Sequence, residues 1–166
     1  MTVQDWPSVR TIYQAGLDTE LATFETSVPS FENWDEAHHE PCRLIAEYDG
    51  TIAGWAALAP TSPRYAYRGV AEISIYIDPN ASGMGVGFSL LNALIDASEE
   101  AGFWTIQSAI FRDNQASIRL HEKCGFRLIG FRERVSERHG VWHDIMLMER
   151  RSPTVAASPS APPDPS

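Results

Sequence analysis

The sequence predicts an α/β (α+β) domain: a mixed, mostly antiparallel central sheet with helices on its faces. Three observations carry that prediction. An apolar run with β-branched residues at Ile73, Ile75 and Ile77 passes through a glycine-dense turn, Asp78 to Phe88, into a helical pattern at Leu90, Leu91, Leu94 and Ile95. The apolar runs Cys42 to Tyr48 and Thr51 to Leu58 flank Asp49-Gly50, a strong hairpin signal. Two closing runs, Phe126 to Val135 and Val141 to Glu149, are joined through Arg138-His139-Gly140 and read as a final pair of strands.

The elements follow in order. Asp5 to Leu21 carries Val9, Ile12, Tyr13 and Leu17 at helical spacing, with Pro7 tolerated in the first turn. An irregular segment, Ala22 to Pro29, follows, and Ser30 is placed to cap a short helix holding Trp34 and Ala37. After the hairpin, Pro60 to Arg68 reads as a loop and Gly69 to Ile77 as a strand. The helix after the glycine turn runs to about Ala101 and stops at Gly102. Thr105 to Ile110 is a strand, and Asn114 to Cys124 a shorter helix stopped by Gly125. The unit spanning residues 69–110 implies one neighbouring parallel pair. From Ser152 onward the chain turns to Pro, Ser and Ala, which predicts a disordered tail beyond a domain of residues 1–151.

Composition excludes several classes. The 166 residues fit one domain, and 43% hydrophobic with 10% aromatic residues reads as globular. A formal net charge of −9 argues against a nucleic-acid surface. No apolar run reaches membrane-span length, and the N-terminus lacks the regions of a signal peptide, so a cytoplasmic location is expected by default. Cys42 and Cys124 have neither metal-ligand nor redox-motif spacing, and His38, His39 and His139 show no ligand spacing, so no metal is assigned.

The glycine turn is the first chemical feature. A strand, a glycine-dense turn and a helix start present backbone N–H groups to a phosphate, with a favourable helix dipole. The second is Glu72. Period-two alternation puts Glu72, Ser74 and Tyr76 on one face of their strand and the three isoleucines on the other. A carboxylate in a central strand is expensive to bury unless it is paired, for instance with Arg64 or Arg68, or functional.

The strand–turn–helix unit, together with Asn114 to Phe126, resembles the GNAT N-acetyltransferases over roughly residues 1–150. Within them the chain is similar to the phosphinothricin, methionine-sulfoximine and arsinothricin acetyltransferases. The marks are Thr23-Phe24-Glu25-Thr26, Ala71-Glu72-Ile73-Ser74-Ile75-Tyr76-Ile77, Leu120-His121-Glu122 and Gly140-Val141-Trp142-His143-Asp144. The resemblance implies transfer of acetyl from acetyl-CoA to the α-amine of a small amino acid analogue, and a homodimer. It also implies that Gly83, Met84, Gly85, Val86, Gly87 and Phe88 hold the pyrophosphate, while Ile75, Tyr76 and Ile77 bond the pantetheine arm. Asn114 and Lys123 match positions that touch coenzyme A in relatives.

Glu72 stands where the family places its proposed base, and partial burial should raise its pKa toward that task. His121 stands where most of the superfamily has Tyr, a proposed proton donor to the departing thiolate; an imidazole can donate, share base duty, or simply pack. Arg64, Tyr65 and Tyr67 lie where relatives grip the amino acid, with Phe24 and Thr26 expected opposite. Trp142, His143 and Asp144 read as hairpin and dimer structure. Two departures stand out: Ser82 replaces the usual Arg or Gln before the turn, and almost nothing precedes Asp5 where the family begins with a strand. That strand is therefore short or missing, or the true start lies upstream. Acetylation of a protein terminus or lysine, and a non-catalytic acyl-CoA sensor, are the alternative functions.

Overall fold

The computed structural model describes residues 1–156. In chain order its elements are α1 (Trp6–Asp18), α2 (Phe31–Ala37), β1 (Arg43–Tyr48), β2 (Thr51–Pro60), β3 (Val70–Ile77), α3 (Val86–Glu100), β4 (Thr105–Phe111), α4 (Gln115–Lys123), β5 (Arg127–Arg138) and β6 (Val141–Arg151). The six strands form one sheet in the order β1-β2-β3-β4-β6-β5. Only β3 and β4 run parallel; every other neighbouring pair is antiparallel.

Local chemistry explains the element ends. Asp49 and Gly50 turn β1 into β2 with φ of 52° and 78°, the left-handed pair that suits a two-residue hairpin. Ser30 caps α2, its Oγ accepting from the amide of Asn33 at 3.2 Å. Helix α1 stops at Asp18 rather than Leu21, because Thr19 and Glu20 donate back to Gly16 and Leu17 and Glu20 takes φ 59°. Strands β5 and β6 run longer than their apolar runs. Along β5 the register shifts twice, and Asp144 Oδ1 accepts from the amide of Arg134 at 2.8 Å inside the second irregularity.

The two sheet faces bury different cores. On one, Ala71 and Ile73 pack with Leu90, Leu91, Leu94 and Ile95 of α3, and with Ile106, Ile110, Ile118, Phe126 and Met148. On the other, Trp55, Ala57 and Tyr76 pack under Val9, Ile12, Tyr13 and Leu17 of α1 and Trp34 of α2. Burying each such large side chain stabilises the fold by about 1.5–3 kcal/mol. The alternation read along β3 is thus the partition between the two cores.

No strand precedes α1 among the described residues; Val3–Asp5 forms a single 3₁₀ turn. The N-terminal amine of Met1 donates to the carbonyl of Arg43 at 3.3 Å, on β1, an outer strand of the sheet. At the other end, residues 152–156 form turns against the body: Ser152 is buried, its Oγ accepts from the amides of Thr154 and Val155, and Arg151 donates to the carbonyls of Val155 and Ala156. The remainder of the expected tail lies outside the described residues. Among the described residues no helix is long and apolar enough to cross a membrane.

Candidate active site

Strands β3 and β4 pair only over three residues, Val70–Glu72 with Thr105–Gln107. Beyond Glu72 they separate, so backbone groups of β3 that face the gap have no ladder partner. The gap opens into a cavity of about 580 Å³. Glu72 to Tyr76 of β3 and Ser108 to Phe111 of β4 form two walls. Tyr13, Trp34, His38 and most of the segment Leu21–Pro29 form another, and Asn114, Ser117 and His121 close the α4 side.

Glu72 is half-buried, and burial pushes its carboxyl above the ordinary 4.5. Among the described residues no ion pair involves it, so neither Arg64 nor Arg68 satisfies it. Arg68 is engaged elsewhere, its guanidinium 4.2 Å from the Tyr65 ring centroid and 5.1 Å from that of Trp104. A carboxylate that is desolvated and unpaired on a cavity wall can take a proton.

His121 is fully buried on α4. Its Nδ1 lies 2.7 Å from the carbonyl oxygen of Ser117, so in the neutral ring Nδ1 carries the hydrogen. Nε2 then holds a lone pair, and it has no hydrogen-bond partner. Burial pushes the ring's pKa below 6.5, opposed by the bond to Ser117. The free nitrogen of the resting imidazole is therefore an acceptor rather than a donor.

Among the described residues the only charged side chains on the cavity are Glu25 and Glu72, and no Lys or Arg lines it. His38, like His121, is held below its ordinary value by burial. The interior thus favours a cationic guest such as an ammonium.

The cavity segment is anchored from three sides. Asn114 caps α4, its Oδ1 accepting from the amide of Ser117 at 3.2 Å, while its Nδ2 donates to Leu21 O at 3.3 Å. The Phe24 ring meets Phe111 edge-on at 4.3 Å, and Phe111 stacks on His143 at 4.8 Å. Arg138 donates to the carbonyls of Thr23 and Leu17 at 2.8 and 3.2 Å.

The glycine turn lies at the start of α3. Gly83 and Gly85 take φ of 77° and 80°, and among the described residues the amides of Gly83, Gly85, Val86, Gly87 and Phe88 donate to no protein group. A Cβ on Gly87 would stand 3.2 Å from Leu120 and 3.6 Å from Ile77, so the absence of a side chain lets this helix start close against α4 and the end of β3. Free amides at a helix start beside the open edge of β3 suit a pyrophosphate whose arm follows that strand.

Of the residues singled out in the sequence, Glu72, His121, Ile75, Tyr76, Asn114 and Phe24 line the cavity. Ile77 packs into the α3 core. Thr26, Arg64, Tyr65, Tyr67 and Lys123 are exposed and are not among the lining residues, as Gly83 to Phe88 are not. Sequence reasoning passed over Tyr13, Glu25, Trp34, Ser108 and Ser117. Ser117 was findable, since it precedes His121 by one helical turn; Glu25 stood inside the Thr23-Phe24-Glu25-Thr26 mark but was given no role of its own. Among the described residues no group of His, Cys, Asp and Glu could hold a metal ion.

A splayed parallel pair whose open edge ends at a bare helix start is the architecture of acyltransferases that bind their thioester like an added strand. The chain belongs to the acetyltransferase (GNAT) family, whose profile matches residues 6–126. It is an acetyl-CoA-dependent N-acetyltransferase with the fold expected from its sequence. It is 38% identical over 157 residues to phosphinothricin N-acetyltransferase of Alcaligenes faecalis, across 88% of this chain and 77% of that one. Identity to the L-methionine sulfoximine/L-methionine sulfone acetyltransferase of Pseudomonas paraeruginosa is 29%, across 89% of each chain. Among solved structures, a GNAT superfamily phosphinothricin acetyltransferase from Sinorhizobium meliloti in complex with AcCoA superposes with a TM-score of 0.87 at 28% identity, covering 97% of this chain and 90% of that one.

Proposed function

We propose that the enzyme acetylates the α-amine of a small amino acid analogue of the phosphinothricin, methionine sulfoximine or arsinothricin type. The observation that carries this reading is Glu72, a desolvated carboxylate that, among the described residues, has no ion-pair partner and shares its cavity with no Lys or Arg. The relatives' names supply the substrate class.

Acetyl-CoA supplies the activated acetyl group, and the free amides from Gly83 to Phe88 hold its pyrophosphate. The edge of β3 at Ile75, Tyr76 and Ile77 bonds its pantetheine arm, with Lys123 and Asn114 flanking the α4 side. Glu72 removes a proton from the substrate ammonium, directly or through a water, so that the neutral amine attacks the thioester carbonyl. His121 accepts through Nε2, and becomes a donor to the departing thiolate only after it has gained a proton. A thiolate whose acid has a pKa of about 8.5 leaves without an obligatory donor, so the contribution of His121 is modest. Phe24 and Thr26 flank the amine on one side. Arg64, with Tyr65 and Tyr67 on the exposed turn before β3, receives the substrate's carboxylate as it approaches.

The enzyme works as a cytoplasmic homodimer. Support for the compartment is that Cys42 and Cys124 are free thiols. Support for the dimer is the exposed apolar surface of the closing hairpin, including Phe131, Val141 and Trp142 at 48%, 57% and 57% exposure. Release of free CoA across a panel of amines tests the function. Turnover of phosphinothricin or methionine sulfoximine well above other amines is expected. Preference for a peptide N-terminus, or binding of acetyl-CoA with no amine consumed, would replace this reading with one of the two alternatives.

A further inference from the structure

The geometry points to Arg138 as a positioning residue for the amine side of the cavity. From the closing hairpin its guanidinium fixes the main chain of the segment that carries Phe24 and Glu25. The inference rests on the reading of this cavity as the amine site.

Arg138 ends β5 with only 8% of its surface exposed. A guanidinium stays charged, and burying one without a counter-ion is costly. Yet among the described residues no ion pair includes Arg138. Its partners are two main-chain carbonyls far away in sequence: Nη1 donates to Thr23 O at 2.8 Å and Nη2 to Leu17 O at 3.2 Å. Leu17 lies in the last turn of α1, where the dipole is negative; its carbonyl also accepts from the amide of Glu20 at 3.0 Å, and a cation is favoured there. One side chain therefore ties the end of α1 to the start of the cavity segment.

The segment Thr19 to Glu25 has few other anchors, the Phe24 ring on Phe111 and the His139–Glu20 contact at 4.0 Å among them. It has no regular structure, it reverses at Glu20 with φ 59°, and its large apolar residues Leu21 and Phe24 remain 38% and 39% exposed. With so little apolar burial, its position depends on side-chain anchors. Asn114 holds Leu21 O with a neutral amide at 3.3 Å. Arg138 provides the charge-assisted bonds, roughly twice as strong as neutral ones. Directly after the pinned Thr23 come Phe24 and Glu25, both on the cavity. The amide of Glu25 donates to Thr23 Oγ1 at 3.1 Å, so displacement at Thr23 is passed to the carboxylate. Among the described residues no hydrogen bond or ion pair ties Arg138 to the glycine turn, whose free amides lie at the start of α3. Its loss should be felt by the amine and not by acetyl-CoA.

Arg138→Met and Arg138→Lys test this in the full chain, with kcat and KM measured separately for acetyl-CoA and for the amine that the wild type turns over best. Cleavage after Glu20 and Glu25 by a glutamate-specific protease, mapped by mass, reports the segment independently of activity. The expected result for Arg138→Met is an amine KM raised about ten-fold, the scale of one charge-assisted bond. Its acetyl-CoA KM should stay within about two-fold, with faster cleavage at both glutamates. A lysine ammonium presents one nitrogen where the guanidinium reaches the two carbonyls with two, so Arg138→Lys should fall between wild type and Met in both readouts. Equal rises in both KM values, or wild-type KM and cleavage in either variant, would overturn the inference. If the Met variant does not fold, the Lys variant decides alone. If no amine is consumed by the wild type, the substrate reading fails, and the cleavage rates still decide whether Arg138 holds the segment.

Discussion

Ser117 and His121 are joined by a hydrogen bond of 2.7 Å between the carbonyl oxygen of one and Nδ1 of the other, one helical turn apart. The bond selects the tautomer, and burial keeps the ring neutral by holding its pKa below 6.5. A folded-state pKa below the unfolded value contributes stability that is present above pH 6.5 and lost as pH falls through the folded value. The thermal midpoint should therefore drop as the pH is lowered from about 7.5 to 5.5, and His121→Asn, which keeps a donor for Ser117 O, should flatten that drop. His38, also held below its ordinary value by burial, leaves a residual slope. An identical slope in wild type and variant would show that His121 is not titrating with unfolding.

For Glu72 the sign is reversed. Its carboxyl is raised above 4.5 by burial, and it must be ionised to act as a base. The acid limb of kcat/KM should accordingly rise with pH through an apparent pKa above the usual carboxylate range. Glu72→Gln should lower kcat/KM by about 10²-fold or more and remove that limb. Retention of kcat/KM within about three-fold of wild type on the best substrate would exclude Glu72 as the base.

Physical pattern explains how far the sequence could be read. The alternation from Glu72 to Ile77 was legible because β3 separates two cores, and each side chain must choose one. The hairpin at Asp49-Gly50 and the glycine stops at Gly102 and Gly125 were legible because each needs a left-handed backbone. The amine side of the cavity was not, because Leu21–Pro29 has no periodicity and is placed by distant anchors on β5, β4 and α4. Arg64 illustrates the limit from the other direction: a cation close to Glu72 in sequence is exposed and off the cavity lining.

Gly16 offers a stability test in which two effects oppose. Replacing a helical glycine by alanine favours the helix by about 1 kcal/mol. Here, though, the new Cβ would stand 2.5 Å from Cδ1 of Tyr76, closer than real contacts allow. Tyr76 cannot retreat, since its ring is wedged between Tyr13 at 4.8 Å and Trp55 at 4.9 Å. Overpacking of a filled core costs about 1–3 kcal/mol, and it outweighs the propensity gain. Gly16→Ala should lower the thermal midpoint by about 2–6 °C. It should also weaken amine binding, because Tyr76 lines the cavity. A raised midpoint would mean that the ring moves freely and the contact is not tight.

Ser82 tests the glycine turn through charge. It precedes Gly83, is exposed, and holds an extended backbone at φ −61° and ψ 136°. The chain carries a formal net charge of −9, so the phosphates of acetyl-CoA approach against the overall field. Free amides and the α3 dipole must offset that repulsion, because the turn itself, Ser82 to Phe88, contains no Lys or Arg. A guanidinium at this position adds attraction without straining the backbone, since an extended conformation accepts any side chain. Exposed charge pairs contribute up to about 1 kcal/mol, so Ser82→Arg should tighten acetyl-CoA binding by up to about five-fold at low ionic strength. The gain should vanish near 1 M salt, where the screening length shrinks to about 3 Å. Calorimetric titration at two salt concentrations separates the cases. Tightening that salt abolishes places the phosphates at this turn, whereas weakened binding at low salt would mean that they bind elsewhere.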